Sequence, residues 1–165
     1  MQSLCRNMDS HSTSEITGQL DMDIGLNGIT GEGASYIAEA LRTTRALRKL
    51  NLWDNPIGDK GLHYIAEALT TNTTLTELSL GECGLGITAE SGQALTEMLQ
   101  KNKTLRELDL SFNEVISDDA ESYITEGLEK NTTLKTLNLN FCSITGEGIR
   151  LIQSSNSTCK IYYAR

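Results

Sequence analysis

The leucines of this chain fall into a frame that recurs. Leu47, Leu50 and Leu52 are spaced LxxLxL, and the spacing returns at Leu75, Leu78, Leu80, at Leu105, Leu108, Leu110 and at Leu134, Leu137, Leu139. Successive frames begin 28, 30 and 29 residues apart. Three residues past each last leucine stands Asn55, Cys83, Asn113 or Cys142, and two further on an apolar Ile57, Leu85, Val115 or Ile144. The LxL alternation predicts a short strand, with leucines on one face and the residues between them on the other. Apolar positions at helical spacing follow, as in Leu62, Ile65, Leu69 and in Leu95, Leu99, so each repeat predicts a strand and then a helix.

The flanks extend the frame. Met22, Ile24, Asn27 and Ile29 stand one repeat before Leu50, Leu52, Asn55 and Ile57. The segment Tyr36 to Leu41, YIAEAL, recurs unchanged at Tyr64 to Leu69, and Asn156 to Cys159 matches Asn131 to Leu134, with Tyr162 and Ala164 at the next two leucine places. The array therefore has about five repeats and a partial sixth strand. A pattern LxxLxLxxN/CxL at this period predicts a leucine-rich-repeat solenoid of α/β class. Helices are wider than strands, so the stack curves into a horseshoe fragment, parallel strands on the concave face and helices on the convex face.

Thr30, Ser117 and Thr145 are predicted N-caps, with Glu32, Asp118, Asp119 and Glu147 suited to the positive helix start. Asn72, Asn102 and Asn131 fall just past the predicted helix ends, where asparagine is expected as a left-handed C-cap. That role also accounts for the N-glycosylation sequons at Asn72, Asn102, Asn131 and Asn156, which share one repeat position.

The repeats resemble the ribonuclease-inhibitor-like class of leucine-rich repeats, in which asparagine and cysteine alternate at the ladder position and a full helix lies on the convex side. The phrases LRELDL, Leu105 to Leu110, and YIAEAL resemble the repeat regions of NOD-like receptor proteins. In those proteins the array follows a nucleotide-binding NACHT module and contributes to ligand sensing or autoinhibition. This chain has no GxxxxGK[ST] motif, so a switch of that kind would need another chain or a longer product. The resemblance implies a structural ladder at Asn27, Asn55, Cys83, Asn113 and Cys142, each side chain bonding backbone inside the turn.

Charge narrows the partner. Asp and Glu number 22 against 14 Lys and Arg, for a net charge of -8 and a pI near 4.7. That balance repels nucleic-acid phosphate and anionic membrane and favours a protein with a basic surface. No stretch approaches the ~20 apolar residues of a membrane span, and Met1 to Glu15 is Ser- and Thr-rich without an apolar signal core. We expect residues 1–15 to be disordered, 16–165 to form the repeat domain, and the address to be cytoplasmic. A monomer, or a part of a larger assembly, is the expected state.

No catalytic, metal or cofactor constellation emerges. Cys5, Cys83, Cys142 and Cys159 form no CxxC pair, and two repeats should hold Cys83 and Cys142 ~10 Å apart, beyond disulfide reach. Gly25, Gly28, Gly31 and Gly33 miss the GxGxxG spacing and read as turn glycines. His11 and His63 stand without a nucleophile or carboxylate set at repeat spacing. The residues predicted to face out of the strands are the candidate partner-binding set: Asp21, Asp23, Lys49, Asn51, Trp53, Glu77, Glu107, Asp109 and Asn138, accompanied by Ser79, Ser111, Thr136 and Asn140. They make an acidic band around Trp53, the chain's one tryptophan, which the core does not require. A non-enzymatic interaction module is the leading expectation. A GTPase activator similar to Ran GTPase-activating protein, or an inhibitor that sequesters a basic enzyme, are the alternatives.

Overall fold

The computed structural model describes residues 20–113 and 119–164. The segment 1–15, Cys5, His11, Val115, Ser117 and Asp118 lie outside the described residues. Six strands, β1 (Leu20–Asp23), β2 (Leu47–Asn51), β3 (Glu77–Ser79), β4 (Glu107–Asp109), β5 (Thr136–Asn138) and β6 (Lys160–Tyr162), form one parallel sheet in chain order. Between them run α1 (Gly31–Thr43), α2 (Gly58–Leu69), α3 (Ala89–Lys101), α4 (Ala120–Glu129) and α5 (Gly146–Ser155), each packed on the next. None of these helices is long and apolar enough to cross a membrane.

The register reproduces the leucine frame. Met22, Leu50, Leu78, Leu108, Leu137 and Ile161 stand in one row across the sheet. From Leu50 to Leu137 that row is at least 97% buried, and it faces Ile37, Leu41, Ile65, Leu69, Leu95, Leu99, Ile124 and Leu128 from the helices. No repeat could bury its leucines alone, so the core is one continuous strip between sheet and helices.

The ladder sits where the alternation of Asn and Cys placed it. Asn55 Nδ2 donates to the carbonyls of Leu52 and of Ile24 one repeat earlier, and its Oδ1 accepts from the Asn27 and Ile29 amides at 3.0 and 2.9 Å. Asn113 repeats this, donating to Leu80, Leu110 and Ser111 and accepting from Cys83 and Leu85. A thiol can donate but offers little as an acceptor. Cys83 Sγ accordingly donates to Leu52 and Gly81, and Cys142 Sγ to Leu110. Where cysteine comes next, the preceding turn rewires, and the Ile57 amide donates to Asn55 O of its own turn at 2.7 Å. Asn27 lies at the exposed end of the ladder, and among the described residues its side chain bonds Gly25 O alone.

The asparagines after the helices do something else than expected. None adopts a left-handed conformation, and Asn102 has φ −68°. Instead they form a second ladder at the opposite end of the strands. Nδ2 of Asn72, Asn102, Asn131 and Asn156 donates to Leu41, Leu69, Leu99 and Leu128 O, in the last turn of the helix one repeat earlier than the one each asparagine follows. Oδ1 of each accepts the amide two residues on, drawing the chain into the next strand. All four are buried with the amide nitrogen engaged, so the fold itself uses these four positions. Of the predicted caps, Thr145 Oγ1 accepts from the Gly148 amide at 2.9 Å, while Thr30 precedes α1 without a side-chain bond. Gly28 takes φ +64°, as a turn glycine does.

Candidate protein-binding face

The outward strand positions line up in three rows. Asp21, Lys49, Glu77, Glu107, Thr136 and Lys160 make the first, and Asp23, Asn51, Ser79, Asp109, Asn138 and Tyr162 the second. Gly25, Trp53, Gly81, Ser111, Asn140 and Ala164 follow as the third, at the strand ends. The first two rows, Lys160 apart, line a shallow trough of about 610 Å3. Of the candidate set, Asp21, Asp23, Lys49, Asn51, Glu77, Glu107, Asp109 and Asn138 border this trough, and Trp53 stands beside it in the third row.

Proximity gives these residues unequal tasks. Lys49 Nζ lies 2.8 Å from Glu77 Oε1, and the bonded Glu77 carboxylate holds the Lys49 ammonium above its usual range. Lys160 stands 4.5 Å from the ring centre of Tyr162. In the second row Asp23, Asn51, Asp109 and Asn138 each accept, through Oδ1, the amide two residues ahead. These are Asx turns that end the strands, a role local rules assign to Asp and Asn but one the outward-facing pattern does not distinguish from binding. Asp109 also accepts from Ser111 Oγ at 2.6 Å. Asp21 and Glu107 are exposed, and their carboxylates enter no hydrogen bond or ion pair among the described residues.

Trp53 is half-buried. A Cβ built on Gly81 would lie 2.5 Å from Trp53 Cδ1, so the indole lies across the space that glycine leaves open. Part of this ring is packing, and it is less free than an exposed anchor would be. Sequence reading missed two exposed aromatics beside this row, Phe112 and Phe141, whose rings stack with centroids 4.6 Å apart. Their shared position, one before the ladder residue, was the available signal.

Elsewhere the thiols of Cys83, Cys142 and Cys159 are buried. Burial pushes Cys83, Cys142 and Cys159 up from the ordinary 9.0 to about 11, and each is free. In a chain carrying Cys5→Ser, these thiols are expected to stay unreactive toward a chromogenic disulfide reagent at about pH 8 and to react on unfolding in urea. The fold favours their protonated form, so above 9.0 the unfolded chain loses protons that the folded chain keeps. Their contribution to stability is constant below that pH and falls as the pH rises towards 11, which urea melts across that window would follow. His63, read as standing apart from carboxylates, lies on α2 with Nε2 3.7 Å from Glu67 and 3.9 Å from Glu90. The next helix supplies Glu90, which spacing along one repeat does not reveal. Among the described residues no cluster of His, Cys, Asp and Glu could hold a metal ion.

An open parallel sheet backed by one helix per repeat, wired by an asparagine–cysteine ladder and an asparagine ladder, defines a strand–helix repeat solenoid with an extended concave face. The chain belongs to the leucine-rich-repeat family: the model described as Leucine Rich repeat matches residues 22–38, 45–66, 71–95, 101–120 and 130–152, more than half of the chain. Among solved structures, the actin-binding site 2 of leiomodin-1 is similar at 23% identity, with TM-score 0.73, covering 94% of this chain and 85% of that one. The tropomodulin C-terminal domain of Caenorhabditis elegans is similar at 14% identity, with TM-score 0.68, covering 95% and 91%. At these identities the likeness concerns the fold. No curated protein matches in sequence.

Proposed function

We propose that this chain is a non-enzymatic recognition module that takes a protein with a basic surface onto its concave face, in the manner of the NOD-like-receptor repeats its phrases resemble. The observation that carries the reading is the arrangement of carboxylates. Asp21, Glu77 and Glu107 share one row, Asp23 and Asp109 the next, and Lys49 among them is already bonded to Glu77. A face with surplus negative charge steers and selects a basic partner. A cytoplasmic setting fits three buried, unbridged cysteines.

The residues to substitute are those without a structural task. Asp21→Lys with Glu107→Lys reverses charge at two exposed positions and leaves the Asx turns at Asp23 and Asp109 intact. Partners captured from a lysate by the parent chain are expected to bind the double variant at least about tenfold more weakly, ~1.4 kcal/mol. Equal capture by both, with matching circular dichroism, removes the concave face from the proposal. An inhibitor of a basic enzyme would show the same loss together with enzyme inhibition, and a GTPase activator would accelerate GTP hydrolysis by a small GTPase.

A second reading rests on the likeness to the leiomodin-1 actin-binding site, which spans nearly the whole chain. It makes actin the partner. Titration of purified actin monomers with the labelled chain tests it directly, and the absence of saturable binding discards it.

A further inference from the structure

The residue preceding each ladder position is the same in backbone and different in chemistry from repeat to repeat. Leu26, Asp54, Glu82, Phe112 and Phe141 all have φ between 52° and 58°. Their amides donate to Trp53, Gly81, Ser111, Asn140 and Ala164 O of the following repeat, which holds the five in one row along the rim of the concave face. The left-handed turn belongs to the repeat, and the core asks nothing of these side chains. Yet Leu26 is 72% exposed, Phe112 44% and Phe141 45%. The row reads apolar, acidic, acidic, aromatic, aromatic.

We infer that this rim is a docking ridge for an extended segment of a partner protein that pairs a Lys or Arg with an apolar side chain about three residues away. Charge and spacing select that occupant. Repeats follow one another at ~4.8 Å, so the middle of the Asp54–Glu82 pair and the middle of the Phe112–Phe141 stack are ~10 Å apart, and an extended chain covers that in about three residues. The acids attract the cation, and the stacked rings, nearly half exposed, bury the apolar side chain as an aromatic anchor. This names the partner chemistry of the proposed recognition module and rests on that reading, while placing part of the contact outside the concave trough.

A displayed library of random 12-residue peptides, selected on the parent chain, tests it. Enriched peptides are expected to carry a basic residue about three positions from an apolar one. Their affinity by fluorescence anisotropy is expected to fall at least tenfold with Phe112→Ser/Phe141→Ser and, independently, with Asp54→Asn/Glu82→Gln. The second variant decides the matter if the first does not fold by circular dichroism. Peptides that lose affinity only with Asp21→Lys/Glu107→Lys overturn the ridge and leave the concave-face reading standing. Peptides indifferent to all three variants overturn both. Enrichment without the basic–apolar pattern, or no enrichment, overturns the ridge alone.

Discussion

Asn113→Ala is expected to destabilise the chain by about 3–5 kcal/mol, a large part of the 5–15 kcal/mol typical of a folded domain. Asn113 is fully buried and makes five hydrogen bonds, three donated to Leu80, Leu110 and Ser111 O and two accepted from the Cys83 and Leu85 amides. Alanine leaves the Cys83 amide without its acceptor and the Leu80 and Leu110 carbonyls without their donor, and each stranded group costs about 1–3 kcal/mol. Asn113→Cys separates donor from acceptor. The thiol can donate as Cys83 does, and the Leu85 amide can turn to its own Cys83 carbonyl as the Ile57 amide turns to Asn55. Urea melts of the parent and the two variants are expected to rank parent, cysteine, alanine. A loss under about 1 kcal/mol for alanine would show that the turn is satisfied without the ladder.

Leu108→Ala is expected to cost about 2–5 kcal/mol through the cavity it leaves. Leu108 is 1% exposed and stands in register between Leu78 and Leu137, buried neighbours on both sides. Relaxation at this point would have to move two flanking repeats, so the void stays largely open. Leu151, on α5 and 52% exposed, is the control, and Leu151→Ala is expected to stay within about 0.5 kcal/mol. Equal midpoints for the two variants would contradict a core made of the leucine strip.

Those two effects lie on features of different legibility. The strip was readable because the leucine frame repeats with its phase intact, and a period-two pattern states which residues face inward. The positions of Asn55, Cys83, Asn113 and Cys142 recur in the same phase, and their ladder role came from the resemblance to ribonuclease-inhibitor-like repeats. Asn72, Asn102 and Asn131 were misread by a local rule. Helix ends do attract asparagine for its left-handed conformation, but here the side chain is drawn by carbonyls of the previous helix, such as Leu69 O for Asn102. A partner about thirty residues away has no local signature.

The candidate site divides in the same manner. Asp21, Asp23, Glu77, Glu107 and Asp109 were assigned to the concave face from alternation alone, and the register puts them there. Alternation is silent on what each does after arriving. Lys49 neutralises Glu77, Asp109 ties down Ser111, and Trp53 spreads over Gly81, all through residues of the adjacent repeat or the strand end.

By itself, then, the sequence determined the repeat, the parallel strand–helix alternation, the buried strip and the membership of the acidic face. Each of these depends on periodicity, which is a property of the chain read in order. Only the tertiary structure decided the second asparagine ladder, the packing of Trp53, the Phe112–Phe141 stack and the row they share with Asp54 and Glu82. Each of those depends on side chains brought side by side when repeats stack at ~4.8 Å, and that adjacency exists only once the strands have paired.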